Sequence, residues 1–509
     1  MLALVIASIG VAQQDKRLKG VEAELKAIME ATKAAGFAVA VVEGNRVVYA
    51  QGFGYSNYEK KIPVDANTLF AIGSVSKSFT SSILGQLRQE SKLSFDDSPI
   101  KYIPDLRFYS DEMNRGITIK DMMCHRTGLP RHDMSWYLFP THSKDSLMSR
   151  IAYLEPFTSV RSQWHYNNFM YLVQGVITER ITGKSWEENI KERLLIPLEM
   201  TRSNTTINEM KSSPNAALGY GLKKDSVIYR ESYYDIAAMG PAGSINSSVN
   251  DMSTWLITWL NKGKYKGKQI LPESYVAEAI SSQMVIKGAL PDKEYPDIYL
   301  SNYGYAWYIS SYRGHYQVAH GGNIDGFSAN MAFFPSDSLG IVVLTNQNYS
   351  SLPSLVRNTI ADRMLKEPSI SWCKEYLKQK DAAAKESKKE KLPKELNQIS
   401  SKQPSHLLTD YEGIFDNPGY GSIRVVNKND SLYAQIKNKT FLLRHRFFDI
   451  FDAIEIADSG VATDESNAPR FNFSTNDEGK IAGINIKMES TIDRPILFKS
   501  MQVGKKNEK

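Results

Sequence analysis

Residues 71–80 read Ala71-Ile72-Gly73-Ser74-Val75-Ser76-Lys77-Ser78-Phe79-Thr80. Val75, Phe79, Ile83, Leu84 and Leu87 share one face at helical spacing, which predicts a helix beginning at about Ser74. Ser74 and Lys77, three residues apart, then lie on the same side of its first turn. A serine hydroxyl is a weak nucleophile unless a base stands beside it and donors await the developing oxyanion. A helix start brings free N–H groups and the positive end of the dipole to Ser74. Both disfavour a charged ammonium on Lys77 and help it act as a neutral base. The spacing alone is a weak signal, because Ser98 to Lys101 and Ser371 to Lys374 also match it. Neither of those is assigned a role.

Upstream, Leu18, Val21, Leu25, Ile28 and Met29 predict an amphipathic helix over residues 15 to 35. Phe37 to Val42 and Arg46 to Gly52, joined by Glu43-Gly44-Asn45, predict a hairpin. Downstream, the chain reads as helix and loop from Thr80 to about Ala237. It turns strand-like again at Gly304 to Ser310, Tyr316 to Ala319, Ser328 to Phe334 and Gly340 to Thr345. Strands at both ends around a helical middle predict one sheet built from both chain ends, with an inserted helical region.

Two further motifs carry chemistry. Trp164-His165-Tyr166-Asn167-Asn168 precedes the helical run Phe169 to Ile181, with Asn168 read as its N-cap, holding Tyr166 at a fixed loop position. A tyrosine with lowered pKa relays protons between nucleophile and leaving group. An ordinary capped helix explains the motif equally well, and Tyr55-Ser56-Asn57 repeats the pattern at a strand end. His320-Gly321-Gly322-Asn323 follows the strand Tyr316 to Ala319. Its glycines let a substrate backbone lie against the strand edge, or serve a tight turn.

At 509 residues and 42 % hydrophobic, the chain carries a sizeable core and about three domains' worth of sequence. The net charge of +6 is modest, and much of it sits in the run Lys374 to Lys394, so nucleic acid is a poor partner. Two cysteines, Cys124 and Cys373, exclude a disulfide scaffold and read as free thiols. The apolar stretch Leu2 to Ala12 reads as a signal-peptide core with cleavage after Ala12, hence an exported, periplasmic or secreted protein. It is too short to span a bilayer, and no later stretch reads as a membrane span. Trp372 to Leu396 reads as a solvated helix or linker. Residues 408 to 500 alternate in short strands such as Ser422 to Val426, Leu432 to Ile436 and Ile481 to Met488, an all-β barrel or sandwich.

Taken in order, Ser-x-x-Lys, Tyr-x-Asn and His-Gly-Gly resemble the three motifs of the penicillin-recognising serine enzymes. The tyrosine version is similar to the class C β-lactamase, D-aminopeptidase and esterase branch of peptidase S12 type. The resemblance covers about residues 20 to 365. It includes Cys124-His125-Arg126-Thr127-Gly128-Leu129-Pro130 and Gly243 to Met252, both read as mainly structural, with Ser248 and Asp251 as a capping box. It implies an α/β (α+β) β-lactamase-like fold: an antiparallel sheet flanked by helices, an inserted helical region, and a trailing β domain. The expected boundaries are a signal peptide at 1–12, the hydrolase domain at 15–366, a lysine-rich linker at 367–407 and the β domain at 408–509.

The resemblance further implies that Ser74 attacks a carbonyl and is acylated, with Lys77 and Tyr166 sharing the proton work. Asn168 orients Lys77 or the substrate amide, and the backbone N–H groups of Ser74 and Asn323 bind the oxyanion beside His320, Gly321 and Gly322. It calls for no metal and no cofactor. The β-lactamases of this group usually carry lysine where His320 stands. A histidine near pKa 6.5 is largely neutral at pH 7 and offers a β-lactam carboxylate no permanent charge. D-residue peptides, cell-wall fragments among them, or small esters therefore fit better as substrates. The alternatives are a β-lactam-binding sensor or weak β-lactamase, and a β domain that binds carbohydrate through Tyr411, Tyr420, Tyr433 and Phe471. The sequence leaves the oligomeric state open.

Overall fold

The computed structural model describes residues 15–223, 226–233, 235–286, 293, 295–389, 402–437, 439–457, 460–461, 468–492 and 494–501. The signal-peptide expectation at 1–12 lies outside them. By contact the chain divides into two compact units, Met1–Asp97 with Gln174–Ala383, and Ser98–Val173 with Ala384–Lys509. Sequence order alone gives no hint that residues 98–173 group with the C-terminal strands.

The first unit is built on an antiparallel sheet drawn from both chain ends. Its order is Met284–Val285, Asn302–Tyr303, Tyr308–Tyr312, His315–Ile324, Phe327–Phe334, Leu339–Thr345, Gly36–Glu43, Arg46–Asn57 and Ile62–Pro63. The predicted hairpin forms, with Val39 opposite Gln51 and a turn that places Gly44 at φ +59°. On its other side Val39 pairs with Val343, which joins the early strands to the late ones. Period-two alternation sends Phe37, Val39 and Val41 to one face, where they pack with Leu25, Ile28, Val356 and Ile360. Those partners come from helices Val21–Thr32 and Leu352–Leu365. The expected 15–35 helix is interrupted at Gly20, at φ +77°, leaving a short 3-10 turn at Lys16–Leu18 before it.

On the opposite face a methyl group added at Gly340 would stand 3.0 Å from Leu256, so glycine lets helix Val249–Leu260 lie close to the sheet. That helix holds the next one, Ser76–Gln89, in place. Phe79 stacks on Trp255 at 4.1 Å between ring centroids, and Trp255 Nε1 donates to Ser78 Oγ at 3.0 Å. Full burial of a phenylalanine contributes about 1.5–3 kcal/mol, so the helix carrying the 71–80 motif is anchored by its apolar face.

The second unit contains a closed antiparallel barrel of eight strands. They are Lys439–Phe447, Ser431–Ile436, Gly421–Lys428, Gly413–Asn417, Ile496–Ser500, Ile481–Ile486, Arg470–Thr475 and Ile450–Ala457. The pairing of Lys439–Phe447 with Ile450–Ala457 closes the ring and decides between barrel and sandwich. Tyr411, Tyr420 and Phe471 are buried, and Tyr411 packs edge-on against Phe451 and Phe473. These three are core side chains rather than a sugar-stacking surface. The lysine-rich stretch forms helix Trp372–Lys389, pinned at its start by Trp372 Nε1 donating to Asp362 Oδ2 at 2.8 Å. Both cysteines are free, Cys124 buried and Cys373 half-buried. Among the described residues no helix is long and apolar enough to cross a membrane.

Candidate active site

Ser74 lies in a 3-10 turn, Gly73–Val75, and the α-helix proper starts at Ser76. Gly73 adopts φ +52°, a left-handed backbone that glycine takes most readily. Lys77, fully buried, reaches back so that Nζ stands 3.1 Å from Ser74 Oγ and donates to the Ala242 carbonyl oxygen at 2.7 Å. An amine at that distance is within reach of the hydroxyl proton.

The segment around Ala242 is fastened to the same helix. Ile72 N donates to Ile245 O at 3.0 Å, Ile245 N donates to Ser76 Oγ at 3.1 Å, and Thr80 Oγ1 donates to Pro241 O at 2.7 Å. The Gly243 to Met252 stretch therefore does hold structure. Ser248 Oγ accepts from Asp251 N at 3.2 Å, which is half of the expected capping box. The Asp251 carboxylate is used elsewhere, accepting from Arg202 N at 3.0 Å and Ser203 N at 2.9 Å.

His320, Gly321, Gly322 and Asn323 lie inside the strand His315–Ile324, paired with Met331, Asn330, Ala329 and Ser328. The expected strand at Tyr316 to Ala319 thus runs on through the glycines. A methyl group at Gly322 would stand 1.9 Å from Ile72 O and 3.1 Å from Ser74 N. One at Gly73 would stand 2.8 Å from Asn323 N. The backbones bearing the Ser74 and Asn323 N–H groups are thus in contact, and only glycine permits it. The Asn323 side chain is a clamp: Oδ1 accepts from Ser328 Oγ at 2.8 Å and Tyr349 N at 2.7 Å, while Nδ2 donates to Asn348 Oδ1 at 2.8 Å.

His320 is buried, with Nε2 3.0 Å from Tyr303 Oη and Nδ1 2.5 Å from Gly321 O. Burial, joined by the charge of Lys77, pushes its pKa down to about 3. It is therefore a neutral ring packed against Tyr303 and Tyr308 and supplies no positive charge at physiological pH.

Tyr166 and Asn168 belong to the second unit. The ring of Tyr166 is buried 4.3 Å from that of His125, whose Nδ1 accepts from Asn167 N at 3.2 Å. The Arg131 guanidinium carbon lies 4.7 Å from the Tyr166 ring centroid. The capping side chain of helix Phe169–Thr182 is that of Asn167, whose Oδ1 accepts from Met170 N at 3.2 Å. Asn168 occupies the N-cap position read from sequence, its carbonyl accepting from Leu172 N at 3.2 Å, but its side chain donates through Nδ2 to Asp133 Oδ1 at 2.8 Å. Asp133, Arg131 and the Ala242 carbonyl were not legible as site groups. The first two directly follow the Cys124 to Pro130 motif, and that adjacency was the one available signal. Gly128, at φ +86°, closes that motif, where a methyl group would stand 2.1 Å from Thr158 O.

A family profile described as Beta-lactamase matches residues 21–363, and one described as a domain of unknown function (DUF3471) matches residues 397–500. Protein flp of Staphylococcus aureus strain MRSA252 is 25 % identical over 64 % of this chain and 62 % of its own length. Unguisins hydrolase ungD of Aspergillus violaceofuscus is 25 % identical over 80 % of this chain and 76 % of its own. Among solved structures, the octameric penicillin-binding protein homologue from Pyrococcus abyssi superposes with a TM-score of 0.62 at 21 % identity, covering 95 % of this chain and 100 % of that one. A D-stereospecific amidohydrolase from Streptomyces sp. gives a TM-score of 0.55 at 19 % identity, covering 68 % of this chain and 99 % of that one. The chain spans 62 % of the length of Protein flp.

Proposed function

The chain belongs to the beta-lactamase family, and from that membership we propose that it hydrolyses amide or ester bonds through an acyl-enzyme on Ser74. The observation that carries the reading is the 3.1 Å approach of Lys77 Nζ to Ser74 Oγ beside a glycine-lined strand. Lys77 takes the hydroxyl proton as Ser74 attacks the carbonyl carbon, and Tyr166 shares its return to the leaving group. The Ser74 and Asn323 N–H groups receive the oxyanion, a contribution of about 10²–10³ in rate for each such donor. Water then deacylates the serine. Gly321, where an added methyl group would meet no atom nearer than Ala329 O at 3.6 Å, leaves room for a substrate backbone along the strand.

The neutral, tyrosine-bound His320 favours substrates that need no carboxylate anchor at that position, namely D-residue peptides or small esters over β-lactams. The name of the D-stereospecific amidohydrolase fits amide substrates of this kind, and that of the unguisins hydrolase fits hydrolysis. The apolar stretch Leu2 to Ala12 supports export. Hydrolysis of p-nitrophenyl butyrate and of a D-alanine p-nitroanilide by the full chain and by Ser74→Ala tests the reading. Turnover of either that vanishes in the variant supports it, and equal rates in both proteins overturn it.

A further inference from the structure

The segment His132–Ser135 is held by three hydrogen bonds to the barrel of its own unit. His132 Nδ1 lies 2.8 Å from Tyr420 Oη, Ser135 Oγ donates to Gly419 O at 2.6 Å, and Met134 N donates to Glu489 Oε1 at 2.9 Å. Gly419 and Tyr420 form the turn between Gly413–Asn417 and Gly421–Lys428, and Glu489 sits in the loop after Ile481–Ile486. The rings of Phe139 and Phe498, stacked with centroids 5.9 Å apart, add an apolar contact. His132 itself takes φ +50°, a left-handed backbone.

The remaining residue of the segment, Asp133, makes different bonds. Its Oδ2 accepts from Arg131 Nε at 2.7 Å, and its Oδ1 accepts from Asn168 Nδ2 at 2.8 Å and Trp136 Nε1 at 3.0 Å. Arg131 in turn covers the ring of Tyr166. One carboxylate therefore orients both the asparagine of the Tyr-x-Asn motif and the cation over its tyrosine. The residues on either side of Asp133 are tied to the barrel, His132 through its ring and Met134 through its backbone N–H.

We propose that the C-terminal barrel is a positioning element for Tyr166 and Asn168: Glu489 and Tyr420 fix His132–Ser135, and Asp133 transmits that placement. The inference rests on the reading of Tyr166 as a proton relay. It gives the domain matched only as one of unknown function a role in the reaction. Glu489 acts through its hydrogen bond rather than its charge. Burial, with Asp133 nearby, pushes its pKa up to about 7, and Oε1 accepts from Met134 N in either protonation state. Displacements near 1 Å of groups that position a reaction cost up to about 10²-fold in rate, so loosening this segment should register in kcat.

The test compares the full-length wild type with Glu489→Ala, Glu489→Gln and Tyr420→Phe. Hydrolysis of p-nitrophenyl butyrate, labelling of Ser74 by a fluorophosphonate and thermal melting are all read. The proposal expects Glu489→Ala and Tyr420→Phe to lower kcat about 10-fold with KM within about twofold, while Ser74 still labels. Glu489→Gln, which keeps the acceptor, should recover kcat to within about threefold of wild type. Tyr420→Phe removes a single hydroxyl and guards against a Glu489→Ala chain that does not fold. Unchanged kcat in both loosened variants, on protein that labels normally, overturns the inference alone. An equal loss in Glu489→Gln and Glu489→Ala overturns it as well. A wild type that neither labels nor turns over removes the Ser74 reading and this one together.

Discussion

Lys77 Nζ is 3.1 Å from Ser74 Oγ and 2.7 Å from the Ala242 carbonyl oxygen to which it donates. Lys77→Ala should lower kcat by about 10²–10⁴-fold, the usual worth of a positioned base. Lys77→Arg should not restore activity, because a guanidinium does not give up its proton. Steady-state ester hydrolysis alongside circular dichroism checks both. An arginine variant with wild-type kcat would show that Lys77 is not the base.

The two strand glycines should differ. A methyl group at Gly322 meets Ile72 O at 1.9 Å, whereas the nearest atom at Gly321 is Ala329 O at 3.6 Å. Gly322→Ala is expected to push the strand from the Ser74 turn, lowering the melting temperature by several degrees and abolishing turnover. Gly321→Ala should leave the melting temperature within about 2 °C, as surface-level changes do. Equal melting shifts would contradict the close packing of the two backbones.

His320 sets a pH dependence of stability. Its folded pKa is depressed to about 3 from an unfolded value near 6.5. The neutral ring therefore contributes its full stability above pH ~6.5, and that contribution drains away as pH falls toward 3. Denaturant midpoints measured from pH 8 down to 4 should fall less steeply in His320→Gln than in the wild type. No limb of the rate profile between pH 5 and 9 should belong to this residue.

Asp121 marks the lower edge of the stability profile. Burial alone raises its pKa, but hydrogen bonds from Arg161, Thr118 and Arg126 outweigh that and hold the carboxyl below its usual range. Arg126 Nε and Arg161 Nη2 approach it at 2.6 and 2.7 Å. With a depressed folded pKa, its contribution is whole above pH ~4 and is lost as pH falls through the folded value. Asp121→Asn should cost on the order of 2–3 kcal/mol at pH 7, less than a fully buried pair because Arg161 is half exposed. Urea denaturation of the variant at pH 7 and pH 3.5 should show the difference shrinking at the lower pH.

Much of the first unit was legible because it obeys local rules. The hairpin announced itself through alternation and Glu43-Gly44-Asn45, and the Ser74 helix through the face of Val75, Phe79 and Ile83. The strand through His320 runs past the end that alternation predicts because Gly321 and Gly322 pair through backbone alone, leaving no side-chain pattern to count. Asn167 and Asn168 are chemically identical neighbours, so which side chain caps and which one binds Asp133 depends on a fold the sequence does not display. Alternation does not decide between barrel and sandwich, because closure is a pairing of the ends rather than a property of any strand. Glu489 reaches Met134 across 355 residues of chain, and contacts of that separation leave no local trace.

The most direct test of the central claim is the intact mass of the full chain after incubation with a fluorophosphonate, for wild type and Ser74→Ala. The account predicts one covalent adduct on the wild type, mapped to the peptide containing Ser74, and none on the variant. An adduct that persists in Ser74→Ala, or a folded wild type that takes up no reagent, would contradict it.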